Sequence, residues 1–299
     1  MSRRQIALFC LPFAALFVFA AVFVVMPYRW LPSWMPCMGN ENGTPSWSPD
    51  GRWIAFAASR SCGSLIAEIH PDGSARRNLT TGISSWPSWS PDNRQIIFAS
   101  PNGYQVVPAA GGTPHVLIPG ASDVGAAFSP NGKQIAFTRG LIPRIRGYRS
   151  TLFLADSSGA GARQLLGDSC NPGTPSWSPD GRSIAVGCGG GLYIVDLRSG
   201  GSHRILRWDY WEGEPPSAAW SPDGRSLVFI SDDVNRVEVI SPDGSHARGI
   251  ATLEAAFDSA TWSPDGRWIA YSATDYLDSR DGIYIVRPNG TDNHQIARF

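Results

Sequence analysis

One pentapeptide, an aromatic residue followed by Ser-Pro-Asp-Gly, limits what this chain can fold into, because the chain carries it six times. It stands at Trp47–Gly51, Trp89–Asn93, Phe128–Gly132, Trp177–Gly181, Trp220–Gly224 and Trp262–Gly266, with Asn replacing Gly at 93 and Asp at 131. The steps between the aromatics are 42, 39, 49, 43 and 42 residues. A repeat of that length marks a solenoid or a propeller. Each copy also encodes a turn: Pro presets φ, Asp or Asn suits the next position, and Gly accepts the left-handed conformation that closes it.

After every turn comes a short apolar run, such as Trp53-Ile54-Ala55-Phe56, Ser183-Ile184-Ala185-Val186 or Trp268-Ile269-Ala270-Tyr271. β-Branched and aromatic residues bounded by turns read as strand. A second hairpin follows in each repeat. Its first strand is expected at 65–69, 104–107, 151–155, 191–196, 236–240 or 282–286, and it turns at sites such as Pro71-Asp72-Gly73 and Pro242-Asp243-Gly244. Four strands and about forty residues per unit fit a propeller blade better than a solenoid coil. The expected fold is all-β: a six-bladed β-propeller over 44–299, preceded by one N-terminal transmembrane helix. The motif aromatics are expected to wedge between neighbouring blades, a packing role. Each unit looks complete in itself, so side-chain packing without strand exchange is one way to close the ring.

These residues carry a resemblance. The aromatic-Ser-Pro-Asp-Gly motif, its apolar strand and the later Tyr193–Val195 and Tyr284–Val286 strands resemble the PD40 repeat, which is similar to the WD40 unit and builds the TolB-type propeller. The likeness runs from about residue 44 to 299. It implies a recognition surface, since the family's propellers usually bind proteins; TolB itself is periplasmic and binds outer-membrane lipoproteins. The chain departs from TolB where a membrane segment stands in place of the α/β domain that precedes the TolB propeller. Related propellers precede a serine-hydrolase domain in prolyl-oligopeptidase-like peptidases; with the sixth blade running to Phe299, no such domain is expected here.

Between Gln5 and Tyr28 there is no charge, and residues 6–26 form an apolar run. As a helix these 21 residues reach about 32 Å, enough to span a bilayer. A cleaved signal peptide has a shorter core and a small-x-small exit, whereas this run ends Val24-Val25-Met26-Pro27. Cys10 follows no lipobox. Residues 1–26 therefore read as a cytoplasmic stub and uncleaved signal anchor, and 27–43 as a tether. Arg3 and Arg4 against a lone Arg29 place the N-terminus in the cytoplasm and the propeller on the periplasmic or extracellular side. Cysteine points the same way. Cys37 and Cys62 flank Pro49-Asp50 nearly symmetrically, and Cys170 and Cys188 flank Pro179-Asp180. Residues equidistant from a hairpin turn lie opposite each other, so disulfides Cys37–Cys62 and Cys170–Cys188 are expected, as in an oxidising compartment. The competing readings are four buried thiols, or a zinc site, which the lack of any Cys-x-x-Cys disfavours.

Basic and acidic residues balance at 25 each, with no basic excess for nucleic acid. The motif turns share one face and are short and alike; the loops of the other face vary, and function sits on such loops. Three stand out. The segment 139–149 gathers Arg139, Arg144, Arg146, Tyr148 and Arg149 and accounts for the long step. The segment 207–214 contains Trp208, Asp209, Tyr210, Trp211, Glu212 and Glu214, and the third contains Asp275, Tyr276, Asp278, Arg280 and Asp281. Aromatics among carboxylates suit either a protein hot spot or a stacked sugar; the plainer reading packs them over a blade end. Asp123, Glu214 and Asp258 precede motif aromatics near the channel mouth, as carboxylates able to hold a cation if they converge.

Enzyme signatures are missing. There is no Gly-x-Ser-x-Gly elbow, no Lys-Ser/Thr follows Gly187-Cys188-Gly189-Gly190-Gly191, and His70, His115, His203, His246 and His294 fall at blade peripheries. The sequence is read as a non-enzymatic, cofactor-free, membrane-anchored binding module with an envelope protein partner. The alternatives are a carbohydrate-binding or carbohydrate-active propeller with a glycan ligand, and an accessory or sensor subunit of a membrane complex.

Overall fold

The computed structural model describes residues 43–60, 63–120, 124–144, 147–166, 171–208, 217–231, 236–252, 256–274 and 281–298. The expected anchor lies outside them, as does the tether except for Gly43. No helix among the described residues is long and apolar enough to cross a membrane. The strands form six four-stranded antiparallel sheets, each with its strands in chain order, giving a six-bladed propeller. The innermost strands are Gly43–Trp47, Ser85–Trp89, Ala126–Phe128, Ser176–Trp177, Ala218–Trp220 and Ala256–Trp262, and each runs into a motif turn.

The turns repeat one hydrogen-bond network. In the fourth blade the Ser178 hydroxyl donates to Asp180 Oδ1 at 2.6 Å and accepts from the Ser183 amide at 2.9 Å. Asp180 Oδ1 also accepts from the Arg182 amide at 3.0 Å, while the Gly181 amide donates to the Ser178 carbonyl at 2.9 Å. The same serine bonds recur at Ser48, Ser90, Ser129, Ser221 and Ser263. Both departures from the motif keep its function. Asn131 offers an amide oxygen where the other turns offer a carboxylate oxygen, at 2.8 Å from Ser129 Oγ. Asn93 adopts φ +60°, where the glycines of the other turns sit near +70°; Asn tolerates this region better than most residues. Its side chain reaches the first blade, accepting from the Asp50 amide at 3.1 Å.

Adjacent turns touch around the whole ring. A methyl at Gly132 would meet Pro91 at 3.3 Å, and one at Gly51 would meet Pro264 at 3.4 Å. The second contact joins the sixth blade to the first. Outer turns lock the same way: a Cβ at Gly244 would lie 2.4 Å from the Ile205 carbonyl oxygen, and one at Gly73 would lie 2.9 Å from that of Ile296.

Hydrophobic packing follows the blade order. Each motif aromatic packs against the preceding blade: Trp89 on Ala55 and Ile66, Phe128 on Ile97 and Ala99, Trp177 on Ala136 and Leu152. Trp220 sits on Ala185 and Leu192, and Trp262 on Val228 and Ile230. Trp47 closes the circle on Ala270, Ile283 and Ile285 of the sixth blade. Strand alternation supplies both sides of each blade. In the fourth, Val186, Cys188 and Val195 face the third blade while Ala185, Leu192 and Ile194 face the fifth. This is why the strands are apolar on both faces. The ring closes between first and last blades by packing, with no strand exchanged among the described residues.

The turn carboxylates give the ring an acid limit. At Asp92, Asp180 and Asp223 the serine hydroxyl is the largest influence, and it holds the carboxyl below its ordinary range together with the backbone amides. At Asp50 and Asp265 burial pushes upward most strongly, yet the same donors outweigh it. A depressed folded-state pKa adds stability that is present above the unfolded value, about 3.9, and is lost as pH falls through the folded one. Urea denaturation across pH is therefore expected to show stability falling below about pH 4, and falling less in Asp180→Asn, which copies the third blade's turn. Ser178→Ala is expected to cost about 1–3 kcal/mol at neutral pH, because it leaves the Ser183 amide without its acceptor.

Candidate functional site

Because every innermost strand ends at a motif turn, every one begins on the opposite face. That face carries the long connections and one mouth of the central channel. The channel holds about 310 Å³ and is lined by the six innermost strands. Its lining includes Thr44, Ser46, Trp86, Ser88, Thr174 and Ser176, and among the described residues no charged one lines it. Three positions before the motif aromatics stand Thr44, Trp86, Gly125, Thr174, Ser217 and Ser259. Strands of the preceding blade fix this level. Ser64 Oγ donates to the Ser84 carbonyl at 2.7 Å, the Tyr104 hydroxyl to that of Val124 at 2.6 Å, and Ser150 Oγ to that of Pro172 at 2.9 Å.

The segment 139–149, expected as a loop, is instead largely hairpin. The strands Gln134–Arg144 and Gly147–Asp156 pair from Gln134↔Asp156 to Arg144↔Gly147. Their inner neighbour pairs only as far as Phe137 and their outer neighbour only at Phe153 and Leu154, so the hairpin continues past the rest of the blade as a two-stranded ribbon. A register shift between Leu141 and Arg144 lets the ladder pass Pro143, which has no amide hydrogen to give. The ribbon backbone carries Arg139, Arg144, Tyr148 and Arg149. Arg139 lies at its base, its guanidinium 5.4 Å from the Phe137 ring centre and 5.6 Å from that of Phe153. Arg146 lies outside the described residues.

Of the aromatic segment, only Arg207 and Trp208 are described. Trp208 is half-buried against the cluster between the fourth and fifth blades, 6.5 Å from the Phe229 ring, and its amide donates to the Gly190 carbonyl. Its ring packs on the blade. Asp209, Tyr210, Trp211, Glu212 and Glu214 lie outside the described residues, as do Asp123, Asp275, Tyr276, Asp278 and Arg280; of Asp258 only the backbone is described, so the carboxylate constellation is not brought into view. Among the described residues no three His, Cys, Asp or Glu side chains gather as a metal site. Cys188 is buried and engaged in a disulfide; the other four cysteines lie outside the described residues.

Two features were not singled out from sequence. One is the set of hydroxyls and the indole around the channel, which look like linker residues until the ring closes. The other is Glu68, fully buried and paired with Arg77, whose guanidinium also stacks on Trp53 at 4.8 Å and donates to the Ala109 carbonyl of the second blade at 3.1 Å. Burial pushes the Glu68 carboxyl up despite its partner. This cluster latches two blades and faces no cavity described above.

The six-fold turn network agrees with a family match: residues 35–184 fit the model of PD40, the TolB β-propeller domain. The chain belongs to the PD40 family of TolB-type propellers. Among solved structures, a TolB candidate from Agrobacterium tumefaciens superimposes with a TM-score of 0.62 at 21% identity, over 75% of this chain and 84% of that one. TolB from Acinetobacter baumannii gives 0.63 at 18% identity over 83% of this chain, which spans 61% of that protein. A gluconolactonase from Xanthomonas campestris gives 0.63 at 15% identity over 78% and 83%. At such identities these neighbours share the fold alone, and an enzyme stands among them. No curated protein matches the chain in sequence.

Proposed function

We propose that this PD40 propeller is a membrane-anchored, extracytoplasmic module that recognises a protein of the cell envelope through its loop face. The observation that carries this reading is the two-stranded ribbon of the third blade. Beyond Phe137 and Phe153 the ribbon has no inner or outer strand beside it among the described residues, leaving backbone edges of the kind a partner can use. Residues 139–149 hold four arginines and no acidic residue in a chain of zero net charge, so the partner is expected to offer carboxylates. Arginine and tyrosine are also the residues that anchor protein interfaces. The fold shared with TolB structures supports a binding role. The apolar run 6–26 supports the anchor, and the oxidised Cys188 supports an oxidising compartment.

Two experiments test it. A photo-crosslinking residue at position 148, in cells, is expected to give a discrete protein adduct. Arg144→Glu with Arg146→Glu is expected to weaken that adduct at least tenfold without shifting the thermal midpoint, the result required if these charges serve a partner. A folded protein giving no adduct at 148 or at 211 would contradict protein recognition. Non-reducing peptide mapping is expected to join Cys170 to Cys188 and Cys37 to Cys62; free thiols at all four would contradict the extracytoplasmic placement.

A further inference from the structure

The six blades copy one another at the motif turns, but two departures from the repeat meet at a single joint. Phe128 is the one wedge that is not tryptophan, and Asn131 stands where the other five turns have Asp. Both face the contact between the second and third blades, on the turn face. A phenyl fills less of such a joint than an indole does. A pocket of about 450 Å³ opens there, lined by Asp92 and Gln95 of the second blade and by Phe128, Asn131 and Ser157 of the third.

Its polar groups can be reached from solvent: Asp92, Asn131 and Ser157 are exposed and Gln95 is half-buried. Asn131 Oδ1 accepts from the Ser129 hydroxyl at 2.8 Å and from the Lys133 amide at 3.0 Å, which leaves the Nδ2 group to donate elsewhere. Where the other turns carry a carboxylate, this turn therefore offers a donor. Asp92 Oδ1 accepts from the Ser90 hydroxyl and the Arg94 amide, and Oδ2 lies 3.9 Å from the exposed Arg94 guanidinium. The side chains of Gln95 and Ser157 have no hydrogen-bond partner among the described residues. The pocket walls are also held in place. Pro91 meets Gly132 at the inner turns, and at the outer turn a Cβ on Gly159 would lie 2.8 Å from the Leu117 carbonyl oxygen. The Ser157 amide ties that outer turn to the Lys133 carbonyl at 2.9 Å.

We propose that this pocket binds a neutral saccharide of one or two rings, with hydroxyls on Asp92, Gln95, Asn131 and Ser157 and a C–H surface against Phe128. A carboxylate accepts, the free Asn131 group donates, and a carboxamide or a hydroxyl does both. Sugar hydroxyls also do both, so they satisfy every member of the set. Asp92 is the one charged residue in the lining, and Arg94 beside it balances that charge. An ion would give up its hydration there for little counter-charge, so the ligand is neutral. A volume of about 450 Å³ lies in the lower part of the range for small-molecule pockets. The pocket is on the turn face and the ribbon on the loop face, so either proposal stands if the other fails.

The test is saturation-transfer NMR on the full-length protein, without sugar-based detergent. The probes are methyl β-glucoside, methyl α-mannoside and N-acetylglucosamine, with ethanolamine as the cationic comparison. At least one saccharide is expected to bind and ethanolamine is not. Asn131→Asp keeps the turn, as the five Asp turns show, and exchanges the free donor for an acceptor. It is expected to weaken the bound saccharide about tenfold, the loss of one neutral hydrogen bond. Gln95→Ala is expected to weaken it similarly, and Phe128→Trp, which restores the wedge of the other blades, to abolish binding. Asp180→Asn in the fourth blade is expected to bind as the wild type does. If Phe128→Trp does not fold, Asn131→Asp and Gln95→Ala still decide the matter. Four results would overturn the proposal: no binding by any saccharide, ethanolamine binding as tightly, wild-type affinity in Asn131→Asp and Gln95→Ala, or equal weakening by Asp180→Asn.

Discussion

The hydroxyl of the motif serine is the point on which this propeller depends. In each blade it joins the first turn to the second strand by donating to an Asp or Asn side chain and accepting the amide five residues on. That pair of bonds sets where the Gly or Asn turns and where the aromatic before it points. From the first follows the contact of each turn with its neighbour; from the second follows the wedge between blades. Magnitudes divide the labour. A turn's hydrogen bonds are worth about 1–3 kcal/mol, whereas a buried Trp or Phe is worth about 3–5. The aromatics hold the ring together, and the serines fix its geometry.

A frame repeated six times frees the opposite face to vary. The third blade extends its central hairpin into a ribbon without disturbing the packing of Ala136, Leu152 and Leu154 beneath it. The channel, meanwhile, is built from the same inner strands that carry the motif. Its lining is set by which small residue each blade places before its aromatic. One scaffold thus yields two distinct features, an arginine-bearing ribbon and a channel lined by its inner strands.

The architecture was legible because each level of the sequence agreed with the next. Pro-Asp-Gly marked the turn, the apolar run marked the strand, and the spacing of about 42 residues marked the blade. The wedge role of Trp89 or Trp177 followed from that pattern and is what the blades show. The ribbon was missed because Gly140 and Pro143 are breakers by composition, and only the partner strand reveals the register shift that accommodates them. Trp208 read as part of a binding loop, yet its position just after the outer strand Ser202–Arg207 lays it on the blade. The channel positions were illegible for a different reason. Thr44 and Thr174 open the same Thr-Pro-Ser-Trp run and Trp86 opens Trp-Pro-Ser-Trp, but their common depth along the channel exists only once six blades have closed into a ring.

That closure is the claim from which the channel and the loop face both follow. Native-state hydrogen exchange measures it most directly, since an open ring would let its terminal blades unfold separately. The amides of Ile54–Phe56 in the first blade and Ile269–Tyr271 in the sixth are expected to be as protected as those of Ile135–Phe137 and Ile184–Val186. Markedly faster exchange in the first and sixth blades, with the middle four protected, would contradict a ring held shut by Trp47 and the Gly51–Pro264 contact.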